Sequence, residues 1–207
     1  MNRQPSLASG ALILALLGAV TLGATFAWER FCQPRISAAE QALKARALLT
    51  VLPEGSYDNQ PLERPLTIEQ PTLANSTLVN AYLATLAGKP QAVVLLSRTQ
   101  GYGGPLELLV GIDSRGRLLG VKALRHNETP GLGARIGEPT HPFMQGFAGK
   151  DRTATPDAQW ALGKDNGQFD QVAGATITSR AVLNAVHDAL RYFDEHAGEL
   201  LGTTGNE

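Results

Sequence analysis

An uncharged apolar run near the N-terminus constrains this chain more than any other feature of its sequence. Residues 7–28 contain no Asp, Glu, Lys or Arg, and Glu29 and Arg30 follow at once. A helix needs about 20 apolar residues to cross a bilayer, so the run predicts a transmembrane anchor at residues 1–30. A cleaved signal peptide is the alternative, but it would have a shorter apolar core and a small-residue cleavage site. The length of the run favours an anchor that is retained.

Charge and cysteine content exclude several classes of function. The 18 Lys and Arg residues nearly balance the 19 Asp and Glu residues, which leaves no electrostatic basis for binding nucleic acid. The single cysteine, Cys32, excludes an internal disulfide framework, and the four histidines lack the spacing of a zinc motif. We therefore expect neither nucleic-acid binding nor a metal site.

Residues 31–71 are predicted to connect the anchor to a folded domain. Residues 36–51 have a helical composition, with Glu40 placed four residues before Lys44. Leu-Pro-Glu-Gly at 52–55 then breaks the helix, and polar sequence with prolines continues to the end of the segment. The sequence predicts a juxtamembrane helix followed by a linker.

The segment from residue 72 to residue 200 has the pattern of a folded domain, with a short tail at 201–207. Its first half contains β-rich runs at 91–97 and 106–112, and a return strand at 117–124 follows the turn Asp-Ser-Arg-Gly. Consecutive strands joined by tight turns indicate an antiparallel meander.

A helix is predicted at the end of this domain. Its apolar residues recur at helical spacing and share one face: Val182, Leu183, Val186, Ala189, Leu190 and Phe193. Strands in a run followed by a terminal helix indicate an α+β fold class. The expected architecture is an N-terminal transmembrane helix followed by an antiparallel-sheet domain with flanking helices.

The loop at residues 125–137 is unusual for a domain of this size. It contains Glu-Thr-Pro-Gly-Leu-Gly at 128–133, where a proline and two glycines surround Leu132. Glycines let the backbone approach a ligand closely, and Leu132 offers an apolar face to a flat aromatic ligand. An irregular connection between a strand and a helix would have the same composition, so the loop alone does not decide between the two.

A second unusual loop, with the sequence FDQVAGATITSRAV at 169–182, leads into the terminal helix. Thr178 or Ser179 is predicted to cap that helix by accepting a backbone N–H, and Thr176 is expected to lie too far upstream to be the cap. A helix N-terminus favours a phosphate group. The hydroxyl of Thr176 can therefore hold a phosphate or be esterified by one.

These motifs, taken in order, resemble the FMN-binding domain family, and within it the RnfG-type subunits of the Rnf (also called Rsx) ion-translocating electron-transport complexes. The matching segments are GYGGPLELLVGID at 101–113, ETPGLG at 128–133 and DQVAGATITSRAV at 170–182. The anchor and LPEGSYDN at 52–59 also fit. The resemblance covers essentially the whole chain.

The resemblance implies a covalent cofactor. In the family, FMN is attached through a phosphoester bond between its phosphate and a threonine hydroxyl, and the acceptor corresponds to Thr176. A separate flavin transferase makes this bond with FAD as donor and Mg²⁺, and Asp170 matches the acidic position that the transferase requires. Ala173 stands where the family more often has Ser or Thr, which leaves Asp170 and Thr176 in place.

The resemblance also indicates where the cofactor would lie and what it would do. Contacts to the flavin ring are predicted at Thr129, Gly131 and Leu132. Contacts at the phosphate end are predicted at Gly174, Ala175, Thr178 and Ser179. No residue is expected to act as a catalytic acid or base, because the flavin ring carries the electrons.

The expected protein is an electron-relaying subunit of an Rnf-type complex in the bacterial inner membrane. Its partners would be the other members of the complex and the flavin transferase. Arg3 on one side of the anchor and Arg30 and Arg35 on the other do not settle the orientation by themselves. The resemblance implies a cytoplasmic N-terminus and a periplasmic flavin domain.

Three alternatives remain open at this point. The NqrC-type subunit of the sodium-pumping NADH:quinone reductase shares the ETPGLG and Gly-Ala-Thr motifs, but it is usually longer and has Gly-Leu-Trp where this chain has GYGGP. A non-redox anchored binding module would use the residues after Gly174 only to begin a helix. A threonine-nucleophile hydrolase would need a basic partner, and none has a clear placement near Thr176.

Overall fold

One long helix begins the part of the chain that the structure describes. The structure is a computed structural model that describes residues 7–53, 55–69, 71–138 and 140–202. Helix α1 covers Leu7–Val51, and Gly10–Gln33 within it is long and apolar enough to cross a membrane. The large apolar side chains of this segment, Leu12 and Phe26 among them, are exposed. An apolar N-terminal helix is thus confirmed. Residues 1–43 and 44–207 are two compact units.

A five-stranded antiparallel sheet forms the centre of the second unit. Its strands lie in the order of the chain, β1-β2-β3-β4-β5, and all neighbours are antiparallel. The strands are β1 Pro65–Leu66, β2 Thr77–Leu86, β3 Lys89–Gln100, β4 Pro105–Asp113 and β5 Leu118–Arg125. The predicted turn after Asp113 is present, since Gly116 N–H donates to Asp113 O at 3.0 Å. The predicted meander is therefore confirmed. Strand β1 comes from the segment predicted to be linker.

Both faces of the sheet are covered, which explains why residues 92–97 of β3 are buried without interruption. On one face lie the end of α1 and the chain after it, with Val51 and Leu52 each 3 % exposed. Val51 sits over Gly111 and Gly120, which are paired across β4 and β5. A Cβ on Gly111 would lie 2.5 Å from Val51 Cγ1, so the missing side chain makes room for the helix end.

The other face of the sheet is covered by helix α3 (Thr176–Leu200) and by the chain that precedes it. This preceding chain contains the short helix α2 (Pro142–Gln145) and an aromatic cluster. Phe147 is fully buried, with its ring centroid 5.3 Å from that of Phe169. Trp160 packs in the same cluster: it is 5 % exposed, with its ring centroid 4.9 Å from that of Phe169. The observed α+β fold is the predicted one.

Ion pairs attach this preceding chain to the outer face of α3. Arg152 donates to both carboxylate oxygens of Asp157, at 3.1 and 3.2 Å, and to Asp194 of α3 at 2.8 Å. His187 of α3 lies 3.1 Å from Asp157 and stacks on Trp160. The Arg152 hydrogen bonds, and then that of His187, lower the pKa of Asp157 from its usual range to about 2.

The depressed pKa of Asp157 predicts a loss of stability in acid. A carboxylate whose pKa is lower in the folded state stabilises the fold above its unfolded pKa, and this contribution is lost as the pH falls through the folded value. We expect the thermal midpoint of the wild type to exceed that of Asp157→Asn at pH 6, with the difference shrinking as the pH falls from about 4 to about 2. The effect is small because the pair is exposed. A constant difference across this range, measured by circular dichroism, would contradict the assignment.

Candidate functional site

The meander brings two of the motif segments, the turn between β3 and β4 and the chain that leaves β5, to the same end of the sheet. In an antiparallel meander every second connection lies at the same end, so the β3–β4 turn at 101–104 and the chain that leaves β5 at residue 126 are neighbours. The two segments touch: a Cβ on Gly103 would overlap the carbonyl oxygen of Asn127. Only a residue without a side chain fits there, which explains the glycine of the GYGG turn at this position.

The ETPGLG loop at this end is compact and presents its leucine to solvent. Thr129 O accepts hydrogen bonds from the N–H groups of Leu132 and Ala134, both at 3.1 Å. Gly131 has a φ of +76°, a conformation that disfavours side chains. Leu132 is 45 % exposed although it is a large apolar residue. The predicted apolar face of the loop is therefore present.

The start of α3 differs from the prediction. The helix begins at Thr176, its N-cap is Ala175, and no side chain accepts a hydrogen bond in the cap position. The prediction that Thr178 or Ser179 is the cap is wrong, because the helix starts two residues before Thr178. Both side chains are fully buried inside the first turn of α3. Thr178 Oγ1 donates to Glu128 Oε2 at 2.7 Å.

Ser179 stabilises the turn before α3. Its hydroxyl donates to Ala175 O at 3.0 Å and accepts the N–H of Val172 at 3.0 Å. Ala175 N–H donates to Val172 O at 3.0 Å, which closes the turn at residues 172–175. The hydroxyls of Thr178 and Ser179 are thus engaged within the protein. Contacts of these two residues with a phosphate stay a prediction.

Thr176 lies where its hydroxyl can be reached. Its side chain is half-buried at the first position of α3, and Oγ1 donates to Gln171 Oε1 at 3.2 Å. Among the described residues, Ser179 is the first in α3 whose N–H donates to a backbone carbonyl, that of Ala175 at 2.9 Å. The N–H groups of residues 176–178 precede this bond and lie at the same end of the helix as the Thr176 hydroxyl. They give this end the partial positive charge of a helix N-terminus.

Asp170 is exposed just before this turn. Within the described part of the chain its carboxylate makes no hydrogen bond or ion pair, whereas its neighbour Phe169 is 4 % exposed in the core. Asp170 is thus an accessible carboxylate six residues before Thr176, next to a buried residue. Its predicted role in flavin attachment stays a prediction.

The loops around Thr176 form one site. Gly174 has a φ of +73°, and a Cβ there would lie 2.9 Å from Leu132 Cδ2, so Leu132 lies directly against the turn that precedes Thr176. Ile177, the next residue of α3, is 53 % exposed. The site therefore combines an anion-binding helix N-terminus with exposed apolar side chains. This combination suits a ligand with a phosphate at one end and a flat apolar ring at the other.

Sequence reasoning missed three residues of this site. Glu128 is the first residue of the ETPGLG motif, and nothing in the sequence distinguishes it from a solvated carboxylate although it is 7 % exposed. Ile177 was visible as an apolar residue between two threonines at the start of a helix. Gln171 accepts a hydrogen bond from the Thr176 hydroxyl. Nothing in the sequence indicates this role, because an exposed glutamine is common in any loop.

Comparison with known proteins shows a domain family that covers the segments of this site. A family model described as FMN-binding domain matches residues 101–191. The RnfG protein of the ion-translocating oxidoreductase complex of Pseudomonas aeruginosa is 46 % identical over 198 residues, which cover 95 % of this chain and 92 % of that protein. The corresponding protein of Stutzerimonas stutzeri is 40 % identical over 182 residues, covering 88 % of this chain and 78 % of that protein.

A solved structure is also similar. The crystal structure of Shewanella oneidensis NqrC has a TM-score of 0.48 and 21 % sequence identity to this chain, over 71 % of this chain and 72 % of that one.

The fold and the family match define a protein in which an apolar N-terminal helix is followed in sequence by an FMN-binding domain. The match extends over most of the length of the relatives, well beyond the FMN-binding domain. The chain belongs to the RnfG family of ion-translocating oxidoreductase complexes. This confirms the resemblance seen in the sequence and decides against the NqrC-type alternative.

Proposed function

We propose that this chain is an electron-relaying subunit of an Rnf-type complex and carries FMN bound covalently to Thr176. The observation that carries the proposal is the position of the Thr176 hydroxyl. It is accessible at the first position of α3, beside the N–H groups that begin the helix and near the exposed Leu132 and Ile177. The match to the FMN-binding domain covers this position.

The attachment is a phosphoryl transfer without a change of oxidation state. The Thr176 hydroxyl oxygen forms a bond to the FMN phosphorus of FAD, the phosphoanhydride bond to AMP breaks, and AMP and the hydroxyl proton leave. A flavin transferase with Mg²⁺ supplies the chemistry, and Asp170 is the exposed group of this chain that faces it. The N–H groups of residues 176–178 then stabilise the negative charge of the phosphoester.

The ring of the flavin lies on the apolar side chains next to Thr176. Leu132 and Ile177 are large apolar residues about half exposed, one in the ETPGLG loop and one in the first turn of α3. Gly131 has open space where a Cβ would be, so its backbone is accessible to the ring edge. Burial of these side chains under the ring would stabilise the holoprotein through the hydrophobic effect.

Replacing both Leu132 and Ile177 by Ser tests this placement. We expect the covalent flavin to remain, since Thr176 is unchanged, but its fluorescence to become more accessible to iodide quenching because the ring loses its apolar support. Leu86→Ser is the matched control, since Leu86 is 39 % exposed in a hairpin at the other end of the sheet. Equal quenching of the double variant and the wild type would contradict the ring position.

The protein positions the cofactor and does not act as an acid or base. Bound FMN supplies the redox chemistry, accepting and releasing electrons at its ring. The residues described above fix one end of the group by a bond and the other by apolar contact. A covalent link replaces a binding equilibrium with a tether, so the flavin is not lost to the aqueous phase. The other members of the complex are the electron partners.

The apolar helix anchors this domain to the bacterial inner membrane with the flavin on the periplasmic side. Within the described residues Gly10–Gln33 is the segment that can span a bilayer. Protease added to spheroplasts should digest the domain, and protection in intact spheroplasts would place it on the cytoplasmic side instead.

In-gel flavin fluorescence tests the proposed function as a whole. Protein co-expressed with the flavin transferase should fluoresce after denaturation, and its mass should increase by one FMN residue. A dark, unmodified wild-type protein under these conditions would favour the alternative, a non-redox anchored module.

A further inference from the structure

A buried carboxylate joins the three segments of the flavin site. Glu128 is 7 % exposed. Its Oε2 accepts the Thr178 hydroxyl of α3 at 2.7 Å, and its Oε1 accepts the Gly103 N–H of the GYGG turn at 3.1 Å. Glu128 itself begins the ETPGLG loop. One side chain therefore connects α3, the β3–β4 turn and the loop that carries Leu132.

The surrounding sequence makes room for this carboxylate. A Cβ on Gly101 would overlap Glu128 Oε1, and a Cβ on Gly133 would overlap Glu128 Oε2. These two glycines lie on either side of the carboxylate, one in the turn and one in the loop. The absence of side chains at both positions leaves a space that the Glu128 carboxylate fills.

The two groups around Glu128 are donors in the structure, an O–H and an N–H, and each donates to one carboxylate oxygen. A glutamine of the same shape could keep both contacts, because its oxygen can accept the Gly103 N–H and its NH₂ group can donate to the Thr178 hydroxyl. An alanine removes both acceptors and leaves the two donors without a partner in a buried position, which is costly. The informative substitution at this position is therefore alanine.

We propose that Glu128 is the positioning residue of the flavin site: it fixes the loop that carries Leu132 against the turn of α3 that carries Thr176. Leu132 follows Glu128 by four residues, and Thr176 precedes Thr178 by two, so the Glu128–Thr178 bond sets their separation. This inference rests on the proposed covalent flavin. Glu128 holds the surface that supports the ring and is bonded to neither the Thr176 hydroxyl nor Asp170, so it controls the pose of the ring and not its attachment.

Glu128→Ala in the full-length protein, co-expressed with the flavin transferase, tests the inference. We expect the mass shift of one FMN residue to be retained. The induced visible circular dichroism of the flavin should be lost and its fluorescence anisotropy should fall, because the tethered ring is no longer held. In the protein expressed without transferase, amide exchange at Gly103 should be about tenfold faster, since its acceptor is lost.

Asp188→Ala is the matched control. Asp188 is also a buried carboxylate, 4 % exposed, and it accepts hydrogen bonds from Asn75 N–H at 2.7 Å and the Ser76 hydroxyl at 3.1 Å. Its partners lie in the loop before β2, outside the flavin site. This variant should lower the thermal midpoint while leaving the flavin's circular dichroism and anisotropy unchanged. If Asp188→Ala changes the flavin signals as much as Glu128→Ala, the effect is general destabilisation and the proposal is overturned.

Thr178 provides a second pair of variants in case Glu128→Ala does not accumulate. Thr178→Val removes the donor to Glu128 and should reproduce the loss of the flavin signals, whereas Thr178→Ser keeps a hydroxyl and should retain them. Unchanged circular dichroism and anisotropy in Thr178→Val would overturn the positioning role while the mass shift still supports covalent FMN. An unmodified wild type would overturn the covalent flavin. Amide exchange at Gly103 in Glu128→Ala would then decide the role of Glu128 in the apoprotein: faster exchange supports it, and unchanged exchange overturns it.

Discussion

Thr176→Ala is expected to reduce in-gel flavin fluorescence to background. The substitution removes the hydroxyl that we propose forms the phosphoester, and it leaves the turn at 172–175 intact, because that turn is closed by Ser179 and by backbone bonds. Alanine is also a good residue for the first turn of a helix, so the variant should fold. The measurement is ultraviolet fluorescence of the denatured protein after co-expression with the transferase, followed by intact-mass analysis.

Two control variants distinguish the acceptor from its neighbours. Thr176→Ser keeps a hydroxyl at the same position and should retain covalent flavin. Thr178→Val removes a hydroxyl two residues away that is buried on Glu128, and it should retain the mass shift as well. Fluorescence that persists in Thr176→Ala would place the attachment elsewhere and overturn the proposed function.

Gly167→Ala, in the loop that leads to Asp170, is expected to destabilise the domain strongly. A Cβ at Gly167 would overlap backbone atoms of Ala161, whose carbonyl also accepts the N–H of Phe169 at 3.2 Å. Backbone cannot move aside as a side chain can, so we expect a loss of about 3 kcal/mol in the free energy of unfolding. This corresponds to a fall of about 6 to 12 °C in the thermal midpoint.

Gly163→Ala is the control in the same loop. A Cβ at Gly163 would lie 3.8 Å from Phe169 O, which is an ordinary contact. Its effect should stay within about 0.5 kcal/mol. Thermal unfolding followed by circular dichroism measures both variants in the full-length protein. Similar midpoints for Gly167→Ala and the wild type would contradict the tight packing of the loop on Ala161.

The sheet could be predicted because its signals are local. The runs at 91–97 and 106–112 alternate with turn residues, and a meander pairs each strand with its neighbour in sequence. The start of α3 was predicted too late because hydroxyl residues at 178 and 179 imitate a cap. Both hydroxyls make other hydrogen bonds. Ser179 donates to Ala175 O, and Thr178 donates to Glu128, which lies 50 residues away in the chain. Sequence spacing does not report such a partner.

Part of the site could also be predicted, because its motifs are local in the sequence. Thr176, Asp170 and Leu132 stand out through their motifs, and the structure brings all three motif segments to one end of the sheet. Glu128 was missed because a buried carboxylate is indistinguishable in sequence from a solvated one. Its burial becomes visible only when Gly101 and Gly133 are seen on either side of it.

For a flavin bound at Thr176, as proposed above, the length of strand β3 limits where an electron partner can bind. The strand has 12 residues and runs from the Ala87–Gly88 hairpin to the turn beside the candidate site, a span of about 40 Å at about 3.3 Å per residue. Electron tunnelling through protein weakens steeply with distance, so a partner docked at the hairpin would be too remote to exchange electrons with such a flavin. An electron partner would therefore have to dock at the end of the sheet where α3 begins.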